Sequence, residues 1–122
     1  TDGSIICISS ICGEAVIRNA PITYSAAKAA LNSYIKGMSI PLAKDGIRIN
    51  GIAPGNVLHE NSVWYQKQIE DQKSLQEYLD KEVVLKRLGT PDEVAKMALW
   101  LASDSMKFAT GTIYKLDGGQ SL

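Results

Sequence analysis

Residues 4–8 read Ser4-Ile5-Ile6-Cys7-Ile8, and residues 47–53 read Ile47-Arg48-Ile49-Asn50-Gly51-Ile52-Ala53. The first is a continuous β-branched apolar run, which suits a strand buried on both faces of a parallel sheet. The second reads as the next strand. Between them lies a helical pattern predicted to span 24–44, with Thr23 as its N-cap and Asp45-Gly46 as its stop. A strand, a long helix and a strand make a βαβ unit, so the two strands should be parallel with a right-handed crossover. The fold class is therefore α/β.

The ends of these elements matter most. Ser9-Ser10 closes the first strand, and residues 11–22, with Gly13, Asn19 and Pro21, read as a loop. Ser10 then sits at a carboxyl strand end, where open α/β sheets hold their ligands. Pro54-Gly55 breaks the second strand beside it. Tyr24-Ser25-Ala26-Ala27-Lys28 opens the helix at the same place. Tyr24 and Lys28 are four residues apart and share a helix face. A phenol titrates near about 10, and an ammonium beside it favours the phenolate. Such a tyrosine is a usable acid or base near neutral pH. By itself the spacing also describes an ordinary surface pair.

The helix has two contrasting faces. Tyr24, Leu31, Ile35, Met38 and Leu42 form one stripe, with Lys28 at its edge, and the apolar members should pack on the sheet. A lysine there must either find a partner or snorkel to water. Ala26, Ala29, Ala30, Ser33 and Gly37 on the other face are small and suit close approach of another helix. Pro41 is expected to kink the helix or end its regular part.

Residues 58–88 are polar and long for a connection. Ser62–Tyr78 should form one or two amphipathic helices, read either as a lid over the site or as a surface excursion. Val63, Trp64 and Tyr65 would give it an apolar or aromatic wall. Thr90-Pro91-Asp92-Glu93 is a helix start with a Thr cap, Pro at the first position and Glu at the third. That helix, running to about Ala102, is apolar nearly all round and is expected to be well buried. Thr112–Leu116 reads as a last strand, and Asp117-Gly118-Gly119 turns out of it.

Composition narrows the function classes. The chain has 122 residues, with thirteen acidic and thirteen basic side chains. It carries no charge block for nucleic acid or a membrane surface. No apolar run approaches the ~20 residues of a membrane span. Cys7 and Cys12 lack metal-ligand spacing, and the single histidine, His59, rules out a multi-histidine metal site. The cysteines are read as free thiols in the cytosol.

Five blocks in this order resemble the C-terminal half of a short-chain dehydrogenase/reductase, with a 3-oxoacyl-reductase-like flavour. They are G-S-I-I-C-I-S-S at 3–10, Y-S-A-A-K-A-A-L at 24–31, G-I-R-I-N-G-I-A-P-G at 46–55, R-L-G-T-P-D-E-V-A at 87–95 and G-T-I-Y-K-L-D-G-G at 111–119. The resemblance covers almost the whole chain. It implies the C-terminal part of a Rossmann-like doubly wound parallel sheet, with 58–88 as the substrate lid. It implies an NAD- or NADP-dependent enzyme that interconverts a secondary alcohol and a ketone, and a homo-oligomer.

The resemblance also assigns roles. Ser10 matches the serine that hydrogen-bonds the substrate oxygen. Tyr24 matches the acid/base, and Lys28 the lysine that lowers its pKa and binds the nicotinamide ribose. Pro54, Gly55 and Val57 match the segment that passes the nicotinamide. His59 stands where the family often has a threonine. The family's glycine-rich turn, its cofactor-selecting residue and its catalytic asparagine belong to a first half not present in this sequence. The chain is therefore expected to be a piece of a longer polypeptide, with its first strand left at a sheet edge. The competing expectation is a non-catalytic binding or oligomerisation protein that retains the motif.

Overall fold

The structure, a computed structural model, describes residues 2–122. Its elements in order are β1 (Gly3–Ile8), α1 (Ile22–Ala43), β2 (Ile47–Pro54), α2 (Val63–Glu70), α3 (Gln72–Glu82), α4 (Pro91–Ala102) and β3 (Ile113–Leu116). Short 3-10 turns at Ile11–Gly13 and Asp104–Met106, which the sequence pattern did not reveal, follow β1 and α4. The strands form one parallel sheet in the order β1-β2-β3. Register is set at Ile5↔Ile49, Ile8↔Ile52 and Gly51↔Ile113.

β2 is the central strand, and its alternation distributes the helices. Gly51 faces α1: a Cβ there would lie 2.9 Å from both Ile35 Cδ1 and Ile113 Cδ1. The missing side chain lets α1 and β3 close on the strand. Arg48 and Asn50 point to the other face. Arg48 donates to the carbonyls of Leu101 (3.0 Å) and Ala109 (3.2 Å), and Asn50 Nδ2 donates to Ala109 O at 2.8 Å. The end of α4 and the turn after it therefore lie across the face opposite α1. Ile35, Ile49, Ile52 and Leu101 are fully buried between these layers. Each such side chain contributes about 1.5–3 kcal/mol of transfer free energy.

Several sequence expectations need correction. α1 begins at Ile22, and Pro21, not Thr23, holds the N-cap position without a side-chain cap bond. Proline fixes φ near its helical value and has no N–H to leave unpaired, so it starts a helix readily. Pro41 does not end α1, which continues to Ala43. One turn from the C-terminus, proline removes only one intrahelical bond. The stop at Asp45-Gly46 holds: Gly46 takes φ 70° and its N–H bonds Ala43 O. α4 is not buried all round, because Leu99 is 74% and Trp100 48% exposed. It packs on β1 and β2 with one flank, and Leu101 is its one buried residue.

The 58–88 segment does form two helices. They make a cluster of their own: Leu75, Leu79 and Val83 are buried, with Trp64, Tyr78 and Leu88 packed against them. Trp64 stacks on Tyr78 with centroids 5.1 Å apart. It is thus committed inside the excursion and does not form an open wall, whereas Val63 and Tyr65 are exposed. Among the described residues, no helix is long and apolar enough to cross a membrane.

Candidate active site

The carboxyl ends of β1 and β2 lie side by side, and the start of α1 comes back to them. Lys28 answers the question its stripe position raised. Its Nζ donates to the Ile8 carbonyl at 2.9 Å and lies 5.7 Å from the centroid of the Tyr24 ring. The ammonium is thus tethered to the last residue of β1 and held over the phenol one helical turn away. Tyr24 itself is 44% exposed, so its ring reaches solvent.

Ser9 and Ser10 are both buried, and their hydroxyls are used differently. Ser10 Oγ accepts a bond from Cys12 N at 3.1 Å, capping the Ile11–Gly13 turn. That bond uses a lone pair and leaves the hydroxyl proton available to donate. Ser9 Oγ instead donates to Asn32 Oδ1. Asn32 is buried on α1, four residues beyond Lys28, so Tyr24, Lys28 and Asn32 step down one helix face. Its Nδ2 is buried with no partner among the described residues. Gly13 is required at this corner, since a Cβ there would come within 2.7 Å of Asn32 Nδ2 and 2.9 Å of the Lys28 carbonyl oxygen. The sequence reading missed Asn32 and the need for Gly13. The available signal was a polar side chain two turns after Tyr24 on the sheet-facing stripe.

The second strand end supplies a different chemistry. Pro54 closes β2, and Gly55 N donates to Leu116 O at 3.0 Å. Val57 then forms an isolated parallel bridge with Gly89. The bonds of that bridge belong to its neighbours: Gly89 N donates to Asn56 O at 2.8 Å, and Leu58 N donates to Gly89 O at 2.9 Å. In an extended chain the N–H and C=O of Val57 itself point to the opposite edge. Neither has a partner among the described residues. One donor and one acceptor are therefore presented together on the edge away from Gly89. The turn behind Gly55 is firm. Burial works against the Asp117 carboxylate, but bonds from Ser121 and from the Gly119 amide outweigh it and hold the carboxyl below its usual range. A cavity of about 80 Å³ lined by Val83, Leu85, Arg87 and Asp117, among others, lies beside this turn and does not touch Ser10, Tyr24 or Lys28.

His59 is exposed; its backbone N–H donates to Ser62 Oγ and its carbonyl accepts from the same hydroxyl, which caps α2. Among the described residues, no hydrogen bond links its imidazole to the corner.

A family model described as enoyl-(acyl carrier protein) reductase matches residues 1–121. This chain belongs to the short-chain dehydrogenase/reductase family. Oxidoreductase UcpA of Escherichia coli O157:H7 is 37% identical over 123 residues, covering 99% of this chain and 47% of UcpA. Glucose 1-dehydrogenase 2 of Bacillus subtilis strain 168 is 33% identical over 120 residues, covering 98% of this chain and 44% of the dehydrogenase. Among solved structures, L-sorbose reductase from Gluconobacter frateurii, complexed with NADPH and L-sorbose, superposes with a TM-score of 0.86 at 31% identity. That match covers 97% of this chain and 47% of the reductase. The chain thus spans about half the length of the curated relatives it matches. As a short-chain dehydrogenase/reductase chain it has the Rossmann-type parallel sheet of its relatives.

Proposed function

We propose that this chain is the C-terminal, proton-transfer half of an NAD(P)-dependent oxidoreductase that interconverts a secondary alcohol and a ketone. The observation that carries this reading is the corner itself: Lys28 Nζ is anchored on Ile8 O and held over Tyr24, with the Ser10 hydroxyl at the end of the same strand. In the reducing direction Ser10 donates a hydrogen bond to the substrate carbonyl, and Tyr24 gives its proton to that oxygen. Lys28 stabilises the phenolate that remains. The nicotinamide, when bound, supplies or accepts the hydride.

The unpaired N–H and C=O of Val57 fit a primary amide such as the nicotinamide carboxamide, and Pro54 and Gly55 complete that flank. Lys28 and Tyr24 would meet the ribose beside it. L-sorbose reductase is solved with NADPH and 4-hydroxyisoleucine dehydrogenase with NADH, so either dinucleotide is in keeping with the family. Residues 58–88 are the proposed substrate lid. The small-residue face of α1 is the proposed contact with a second copy. Two free cysteines suit a reducing cytosol.

The test is an intact-mass measurement with titrations of NADH and NADPH, followed by Tyr24→Phe. A polypeptide of about twice this length that binds one dinucleotide is expected. Tyr24→Phe should lower kcat by about 10²–10⁴-fold, the span of general acid–base contributions, with cofactor affinity retained. Unchanged turnover would remove Tyr24 from the chemistry. A 122-residue product that binds neither dinucleotide would favour the non-catalytic oligomerisation reading, which the exposed face of α1 supports.

A further inference from the structure

The hydroxyl of Tyr78, on α3, is where three distant segments meet. It accepts hydrogen bonds from Asn56 Nδ2 at 3.2 Å and from Gln120 Nε2 at 3.1 Å. Its ring is stacked on Trp64, and its helix is pinned by Leu75 and Leu79. Ring and hydroxyl are both fixed, so Tyr78 is a firm anchor for whatever it binds. Asn56 lies between Gly55 and Val57.

The backbone around Val57 needs such an anchor. Among the described residues it is paired on one edge only, to Gly89, through a single isolated bridge. A strand held along one edge can still roll about its own axis. Roll would turn the free N–H and C=O of Val57 out of line. A side-chain bond from the adjacent residue, directed off the strand, resists that motion. We infer that Tyr78 is a positioning residue for the nicotinamide end of the cofactor, acting through Asn56 on the Val57 backbone. This rests on the dinucleotide-binding reading above and adds to it a residue from the excursion.

The experiment compares four ligands on the full-length protein: NADH, NADPH, and the fragments ADP-ribose and 2′-phospho-ADP-ribose, which lack the nicotinamide. Tyr78→Phe keeps the ring and its stack on Trp64 and deletes the hydroxyl. Affinity for the preferred dinucleotide should fall by about three- to tenfold, the scale of one lost hydrogen bond. Affinity for the matching fragment should not change. An unchanged dinucleotide affinity overturns the inference. An equal loss for both ligands overturns it too, because it signals general disruption. Asn56→Ala should show the same signature, and the double variant should be no weaker than either single one. Additive losses would deny that the two residues act as a unit. Asn56→Ala also stands alone if Tyr78→Phe fails to fold. If the unaltered protein binds neither dinucleotide, the oxidoreductase reading fails first, and this inference with it.

Discussion

A strand end turns successive side chains to opposite sides, and Ser9 and Ser10 use both. Ser10 keeps a proton to donate. Ser9 spends its own on Asn32, tying the end of β1 to the helix that carries Tyr24 and Lys28. Ser9→Ala would leave the Asn32 carboxamide buried with neither end paired. The expected cost is about 1–3 kcal/mol, the desolvation penalty of an unsatisfied buried group, read in a urea or thermal melt. Unchanged stability would mean that the pair does not hold the corner. Tyr24 and Lys28 were legible because their relation is local, one turn on one helix. Asn32 was not. Its partner lies 23 residues away, and a helical asparagine without a visible partner looks like any surface one. The anchoring of Lys28 on Ile8, 20 residues away, was hidden for the same reason, although the need for some partner could be argued from charge.

At the scale of elements, helix α4 has the cap its sequence promised. Thr90 Oγ1 accepts from Glu93 N, and the Glu93 carboxylate in turn accepts from Thr90 N. Arg87 joins from outside, 2.6 Å from Glu93 Oε1. Its hydrogen bond is the main cause that lowers the Glu93 carboxyl from 4.5 to about 2. A depressed carboxyl stabilises the fold above its unfolded pKa and loses that contribution as pH falls through the folded one. The cap should therefore be intact above about pH 4.5 and weaken towards pH 2. A carboxyl-carbon NMR titration should place the Glu93 midpoint near 2, and Arg87→Ala should raise it. A midpoint at 4.5 would show that the pair is absent in solution. The pair is solvent-exposed, so its effect on global stability is small. Capping is chemistry between neighbours, and the sequence carries it. The start of α1 was misplaced because Pro21 competes with Thr23 for the same boundary. The cover over α4 was misjudged because periodicity says which residues are apolar but not what packs on them.

For the molecule as a whole, two surfaces stand open. Ala26, Ala29, Ala30, Ser33 and Gly37 line an exposed face of α1. Leu99, Trp100 and Phe108 are exposed on and beyond α4. Small residues let helix backbones approach closely, so the α1 face suits a second copy. Ala30→Trp or Ser33→Trp should shift the full-length protein to a smaller sedimentation coefficient. An unchanged coefficient would clear that face of any role in assembly. The parallel pairing of β1 and β2 followed from the strand–helix–strand pattern, because the crossover consumes a recognisable helix, whereas the place of β3 beside β2 did not. The Asn56–Tyr78–Gln120 junction did not, because it joins residues 22 and 42 apart through side chains alone. Thirteen positive charges against thirteen negative ones have a further consequence for these faces. This chain carries no net field to hold two copies apart at neutral pH. Simple salt has no long-range repulsion to screen, so ionic strength should be a weak handle on any contact between copies through these faces. Solutes excluded from apolar surface, such as sulfate, will be the strong one.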